Sequence, residues 1–465
     1  MENYPFIDYI IRGEGELPLH NLIVAMDRQD SVEDIPGLTH RVNNSIEVND
    51  DQKSYVALDE LSYPYLEIED FSNQYIYYET TRGCPFNCSF CLSSSKEGVR
   101  KLSLERIRED LMKLVRTKAN AIKLVDRTFN FDKNRAMQIM SYIVEINKNN
   151  IKFHMELTAE ILDDEFIGFI NHLPVDMFQF EIGVQSTNPK TLLAVNRRSD
   201  YRKLAEITGR IIEGKNAHVH LDLIAGLPYE SYDIFKKSFN EIYNLRAEKL
   251  QLGFLKVLKG TSIRANADIY GIRYLDKAPY EVIRTNDISL PELLLLKKIE
   301  KLVTLYYDEH YFINTLDAVM EFATPFDFFE DFAGYWTTHA LFDSYHKKSM
   351  LFDLLYDFIQ ENYKLDVRNS MLDDFLLSEK NIEIPKYLFN KEEKQYAYLK
   401  HDLLSKRSFK STYFQQQIDV PNKKLINDFR LIEKDNEYYA YIYGDKNNIF
   451  DRSKKINVTK LLQGD

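Results

Sequence analysis

Cysteine, tryptophan and glycine are scarce in this chain: 3 Cys, 1 Trp and 16 Gly stand among 465 residues. Three thiols are too few, and odd in number, for a disulfide framework, which excludes a disulfide-stapled secreted scaffold and suits a reducing compartment. No apolar run reaches the roughly 18 residues that a membrane span needs, so no membrane partner is expected. The opening MENYPFIDYI has neither the basic nor the apolar region of a signal peptide. Positive charge is in deficit as well. Lys and Arg number 60 against 72 Asp and Glu, a net charge of −12, which argues against binding a bulk polyanion and does not indicate nucleic acid. The composition is that of a soluble, cytoplasmic protein long enough for two or three domains.

Short β-branched and apolar runs alternate with longer amphipathic ones from about residue 75 to residue 258, the pattern of βα units and a parallel sheet. Strands are predicted over 75–81, 121–126, 151–158, 177–184, 217–225 and 250–258, and helices over 104–115, 133–146, 163–171 and 235–245. Six strands make most of a barrel, so the expected fold is α/β, a partial (β/α)6 TIM-like barrel whose ligand site lies at the C-terminal strand ends. Before it, residues 1–60 hold a strand at 9–12, a Gly-Glu-Gly-Glu turn at 13–16, a helix over 17–26 and a hairpin around Asn43 and Asn44. After it, Ser289 and Glu292 stand in capping-box spacing ahead of four leucines, which predicts a helix start. A mainly helical, aromatic-rich extension follows to about residue 363, with 13 acidic and 6 basic residues over 290–365. Its aromatics, Tyr306, Tyr307, Tyr335 and Trp336 among them, read as core. A further strand is expected at 438–443. The expected domains are 1–60, 61–288 and 289–465.

All three cysteines fall within eight residues: Cys84, Cys88 and Cys91, in a loop directly after the first core strand. Gly83 and Pro85 favour a loop that curls its thiols inward. Thiolate is the soft ligand of zinc and of iron–sulfur groups, and three in one loop can hold one metal centre. A structural zinc site needs a fourth ligand, and the histidines closest in sequence are His40 and His154. Zinc completed by a distant histidine, on a non-catalytic scaffold kept for partner interaction, therefore stands as the alternative to an open, reactive centre.

Cys-x3-Cys-x-Phe-Cys after the first strand of a βα series resembles the cluster loop of radical S-adenosylmethionine enzymes. The resemblance implies that Cys84, Cys88 and Cys91 bind three irons of a [4Fe-4S] cluster, that S-adenosylmethionine chelates the fourth, and that Phe90 lies beside the adenine. Downstream, the Glu181–Ser186 run resembles the family's "iGvQS" strand end and assigns Gln185 and Ser186 to the cofactor; Arg198, of the pair Arg197 and Arg198, is expected to meet the cofactor carboxylate. Asp222 to Glu230 resembles "DxIxGxPxE", in which Ile224 packs on adenine and Gly226 permits close backbone approach. His154 and Glu156 alternate onto one face of the third strand, and Glu156 is assigned to the ribose or amine. Many relatives carry Gly-Gly-Glu where this chain has Asp126-Arg127-Thr128, so Asp126 is taken as the substitute amine contact.

Residues 7–16, 35–38 and 61–65 resemble the end of a cobalamin-binding Rossmann domain and its bridge to the barrel in the B12-associated subfamily. Most of that domain, and its Asp-x-His-x-x-Gly motif, has no counterpart here, so cobalamin binding by this chain alone is not expected. The tail from about residue 256 resembles an uncharacterised extension of such enzymes. The implied protein reductively cleaves S-adenosylmethionine with electrons from a flavodoxin or ferredoxin and acts on an unknown substrate. With no further cysteine, subclasses that carry auxiliary clusters, methylthiolation enzymes included, are excluded.

Overall fold

The computed structural model describes the chain except for residues 44, 54, 66–70, 73, 94–97, 381, 390–395, 415–416, 445–452 and 464–465. It divides into two compact units, Met1–Asp70 with Arg100–Thr117, and Phe71–Val99 with Lys118–Asp465.

In the first unit β1 (Tyr9–Ile11) is followed by α1 (Glu16–Arg28), and then by β2 (Leu38–Val42) and β3 (Ser45–Val48). β1 pairs antiparallel with β2, and β2 with β3 through Val42 opposite Ser45. Asn43 sits in the left-handed region at the expected hairpin turn, while Asn44 lies outside the described residues. The unit also holds α2 (Leu104–Leu114), whose cap Ser103 accepts from the Arg106 N–H.

The second unit is built on a six-stranded parallel sheet. Its strands are β4 (Tyr75–Tyr78), β5 (Ala121–Leu124), β6 (Lys152–Leu157), β7 (Phe178–Gln185), β8 (His218–Ala225) and β9 (Lys249–Phe254), and their spatial order follows their chain order. Between them run α3 (Lys133–Ile146), α4 (Asp164–Ile170), α5 (Pro189–Ala194), α6 (Tyr201–Glu213) and α7 (Tyr232–Tyr243). Asp132, Asp163, Asn188, Asp200 and Ser231 cap these helices with side-chain acceptors, which places each helix start a few residues past a strand end. Alternate strand residues such as Phe153, Met155, Phe178, Phe180, Val219 and Leu221 are buried on the face that the helices cover. The fold is the expected parallel α/β sheet of a partial barrel.

The mainly helical C-terminal part begins at α8 (Leu290–Val303), entered through a full capping box in which the Ser289 N–H donates to Glu292 at 2.7 Å. It continues in α9 (Ile313–Met320), α10 (Pro325–Thr338), α11 (Lys348–Asn362) and α12 (Arg368–Ser378). The expected aromatic core is there: Tyr306, Phe332 and Trp336 are fully buried, and Phe332 stacks on Phe358 with centroids 4.4 Å apart. Residues 289–465 nonetheless fall in the same compact unit as the sheet. The physical reason is local: Tyr307 donates its hydroxyl to the Ala247 carbonyl at 2.6 Å, Asp308 accepts from the Leu250 N–H at 2.9 Å, and the Phe239 ring meets Phe326 at 5.4 Å. A three-stranded antiparallel sheet, β10 (Phe429–Lys434), β11 (Glu437–Ile442) and β12 (Lys454–Asn457), closes the chain over a small core of its own.

Candidate active site

The thiol loop leaves β4 and is fastened at several points. The Ser89 N–H donates to the Val195 carbonyl at 2.9 Å, the Ile263 N–H donates to the Ser89 carbonyl at 2.9 Å, and the Asn196 amide donates to the Asn87 carbonyl at 2.7 Å. A turn joins the Cys91 N–H to the Cys88 carbonyl at 3.1 Å, with the half-buried Phe90 between them. All three cysteines are free thiols; Cys88 is buried, Cys84 and Cys91 partly so. Cys84 Sγ lies 3.5 Å from Thr128 Oγ1, and Cys91 Sγ accepts from the Ser93 N–H at 3.3 Å. Burial pushes the Cys88 thiol above its ordinary value; the Arg197 guanidinium, 4.0 Å from its sulfur, opposes this, and Cys84 and Cys91 push it further up.

Asp126 differs from its expected role. It is fully buried at the end of β5, and its carboxylate accepts from the Thr80 N–H at 2.7 Å, the Thr81 N–H at 2.8 Å and the Thr80 hydroxyl. Asp126 therefore staples the strand end that launches the thiol loop and presents nothing to a ligand. Burial, partly offset by these donors, raises its carboxyl to about 6. Asn130 performs a similar closure with the Thr158 backbone, at 2.8 and 2.9 Å.

Of the two adjacent arginines, the structure turns Arg197 to the thiols and leaves Arg198 exposed. Asn196 adopts the left-handed conformation just past α5, and the Arg197 N–H bonds the Leu192 carbonyl, which swings the Arg197 side chain inward, where it donates to the Gly183 carbonyl. A Cβ at Gly183 would stand 2.3 Å from the Gln185 amide nitrogen, so any larger residue here would displace the Gln185 side chain. Gln185 itself has φ 69°, a strained conformation for a residue with a Cβ, and its Oε1 is buried without a partner.

Ser186 is buried, with its hydroxyl donating to Glu230 at 2.5 Å and accepting from the Asn188 N–H at 3.0 Å, so it ties two strand ends together and does not face the open sheet. Burial raises the Glu230 carboxyl to about 8 against the donors Ser186 and Ser238, so it holds its proton at neutral pH. The motif containing Glu230 was visible in the sequence, and its structural partner was not. Ile224 is partly exposed on the sheet face away from the helices, and Gly226 has φ 86° with Val282 Cγ1 2.7 Å from where a Cβ would be. Glu156 lies on that same sheet face beside Glu181 in register. Arg127, on a loop, stands 3.7 Å from Glu156, and burial raises the Glu156 carboxyl above its ordinary value.

The donor set can be tested against the implied cluster. Among the described residues no three His, Cys, Asp or Glu side chains converge closely enough to hold a single ion. The three thiols are within electrostatic reach of one another, with the Arg197 guanidinium 4.0 Å from Cys88 Sγ. Three soft thiol donors on one loop fit the ligand set of an iron–sulfur group.

Two family models match the chain: the radical SAM superfamily over residues 78–242, and a protein of unknown function, DUF4080, over residues 268–448. An uncharacterized methyltransferase of Pyrococcus horikoshii is 33% identical over 148 residues, covering 30% of this chain and 32% of the relative. The cobalamin-dependent radical SAM methyltransferase TokK of Streptomyces tokunonensis is 24% identical over 307 residues, covering 60% of this chain and 44% of TokK. The chain thus spans less than half the length of either curated relative. A solved structure of the radical S-adenosylmethionine methyltransferase TsrM from Kitasatospora setae aligns with TM-score 0.48 at 14% identity, covering 59% of this chain and 57% of that one.

Proposed function

We propose that this chain, a member of the radical SAM superfamily with a DUF4080 domain behind its radical SAM domain, cleaves S-adenosylmethionine reductively and starts radical chemistry on a substrate held against the sheet. The observation that carries this reading is the set of three free thiols on one fastened loop at the first strand end of a parallel βα sheet. Cys84, Cys88 and Cys91 would hold a [4Fe-4S] cluster, which would supply the electron for reductive cleavage of S-adenosylmethionine and so the start of radical chemistry on the substrate.

The protein's part is positioning. Asp126 fixes Thr80 and Thr81, and through them the direction in which the loop leaves β4. Arg197 brings a fixed positive charge to the thiol side and is the better placed of the two arginines for a cofactor carboxylate. Gln185 offers a buried, unfilled amide oxygen at the end of β7, and Glu156 a carboxylate on the adjoining strand, for the ribose and amine. Phe90, Ile224 and the backbone at Gly226 are assigned to the adenine, and Ser186 to holding its strand end through Glu230. Arg198, exposed, is assigned no contact here.

We place the radical SAM core at 61–288, preceded by an N-terminal segment over 1–60 and followed by the C-terminal domain from 289. Methyl transfer is carried by the names of relatives and is not part of this reading. Cobalamin is named for the relative TokK, and cobalamin absorbance that stays with this protein after desalting is the measurement that decides whether this chain takes it. The electron for this cleavage is assigned to a flavodoxin or ferredoxin, and the compartment to the cytoplasm. No helix among the described residues is long and apolar enough to cross a membrane.

Anaerobic reconstitution with iron and sulfide is expected to give brown protein with about four irons per chain, and Cys88→Ala to give colourless protein. A colourless wild-type protein that holds zinc tightly overturns the reading.

A further inference from the structure

The sheet has a second face, turned away from the helices, and its character is unusual for a barrel interior. Such interiors are ordinarily filled by bulky branched side chains. Here the alternation that buries Phe153, Met155, Phe178 and Phe180 leaves polar side chains on the opposite face of β6 and β7, and on β8 Ile224 is the one apolar side chain at that face.

Most of these groups are matched. Lys123 Nζ lies 3.1 Å and His154 Nε2 2.9 Å from Glu181, which holds the Glu181 carboxylate near 2. Arg127 stands by Glu156. Two groups are left over on β8, two residues apart and so on one face. Asp222 Oδ1 is buried, and the Asp222 carboxyl hydrogen-bonds the Glu181 carboxyl, so the two share a proton; among the described residues no cation forms an ion pair with this third carboxyl, Lys123 and Arg127 being taken by the other two. Burial and the neighbouring Glu181 charge raise Asp222 well above its ordinary value. His220 is only 5% exposed, and the amide nitrogens of Gln179 and Gln251 lie 3.3 and 3.4 Å from its Nδ1. Those amides donate to Nδ1, which puts the ring proton on Nε2, and Nε2 has no partner.

We propose that this face is the substrate floor and that it takes a small water-soluble organic amine: the ammonium group donates to Asp222 in place of the proton shared with Glu181, which leaves to solvent, and a hydroxyl or carbonyl oxygen beside it accepts from His220 Nε2. The inference rests on the radical reading above and names its substrate class. A lipid would leave the polar face unsatisfied, and an anionic substrate would meet Glu156, Glu181 and Asp222.

The test uses an extract of bacteria grown in deuterated medium, divided into a chloroform-soluble fraction, an aqueous fraction retained on a cation exchanger, and an aqueous flow-through. Each is incubated with the reconstituted full-length protein, unlabelled S-adenosylmethionine and dithionite. A deuterium atom leaves a substrate C–D bond and forms the new C–D bond of 5′-deoxyadenosine, leaving a carbon radical on the substrate; the electron that releases the adenosyl radical comes from dithionite. Deuterated 5′-deoxyadenosine is expected with the cation-exchanger fraction, and Asp222→Asn is expected to lower the label about tenfold at equal iron content and unchanged melting temperature, the loss of one charge-assisted contact. Label drawn from the chloroform or flow-through fraction, or from none while unlabelled 5′-deoxyadenosine forms, overturns the amine floor and leaves the cleavage reading standing. No 5′-deoxyadenosine in any arm overturns both.

Discussion

Asp126, Arg197 and Glu230 each show a side chain whose role is set by what lies across the fold. The sequence places Asp126 where relatives have Gly-Gly-Glu, which suggests a ligand contact; only the folded β4–β5 pairing reveals that its partners are Thr80 and Thr81, some 45 positions away in the chain. The choice between Arg197 and Arg198 depends on a single left-handed residue, Asn196, which periodicity does not report. Glu230 allows a sharper expectation. Its folded-state value of about 8 lies above the ordinary carboxyl value of 4.5, so between those pH values the native protein keeps a proton that the unfolded chain has lost. Its contribution to stability is therefore fully present at low pH and declines as pH rises through that window. Glu230→Gln, which mimics the protonated acid, is expected to show a flatter dependence of the urea midpoint on pH between about 5 and 8 than the wild type. Parallel profiles for the two proteins would mean that the Glu230 carboxyl ionises normally.

At the level of elements, the sheet was legible because strict alternation over four to eight residues is a local signal that tertiary contacts reinforce. Predicted strands over 151–158 and 217–225 match Lys152–Leu157 and His218–Ala225, and the helix over 133–146 matches Lys133–Ile146. The capping box at Ser289 was equally readable, since its partners are three residues apart. What local pattern could not show is which elements share a core: Tyr307 and Asp308 fasten the helical extension to the backbone before and within β9. The launch of the thiol loop is likewise an element-scale device. Asp126→Ala leaves the Thr80 and Thr81 N–H groups buried without acceptors and is expected to cost about 3 kcal/mol in a urea titration, with iron retention falling alongside. Unchanged stability and full iron loading would show that β4 needs no such staple. In the extension, Phe332→Ala removes a fully buried ring stacked on Phe358 and is expected to cost about 3–5 kcal/mol by the same measurement. A loss below about 1 kcal/mol would indicate that α10 is not packed as described.

For the whole molecule, scarcity of cysteine is the fact with the longest reach. The structure puts all three thiols on one loop, fastened by the turn after α5 and by the segment at Ile263, as the proposed cluster requires. In the proposed reading the sheet face turned away from the helices carries both the cofactor contacts Glu156 and Ile224 and the polar substrate floor. The substrate itself was not legible, because the unmatched groups on β8 become visible only when Gln179, Gln251 and Glu181 are seen around them. The central claim is reductive cleavage, and it is tested most directly by chromatography of the products formed when the anaerobically reconstituted protein meets S-adenosylmethionine and dithionite. The account predicts 5′-deoxyadenosine from the wild type and none from Cys88→Ala; intact S-adenosylmethionine in the presence of a fully loaded, reduced cluster would contradict it.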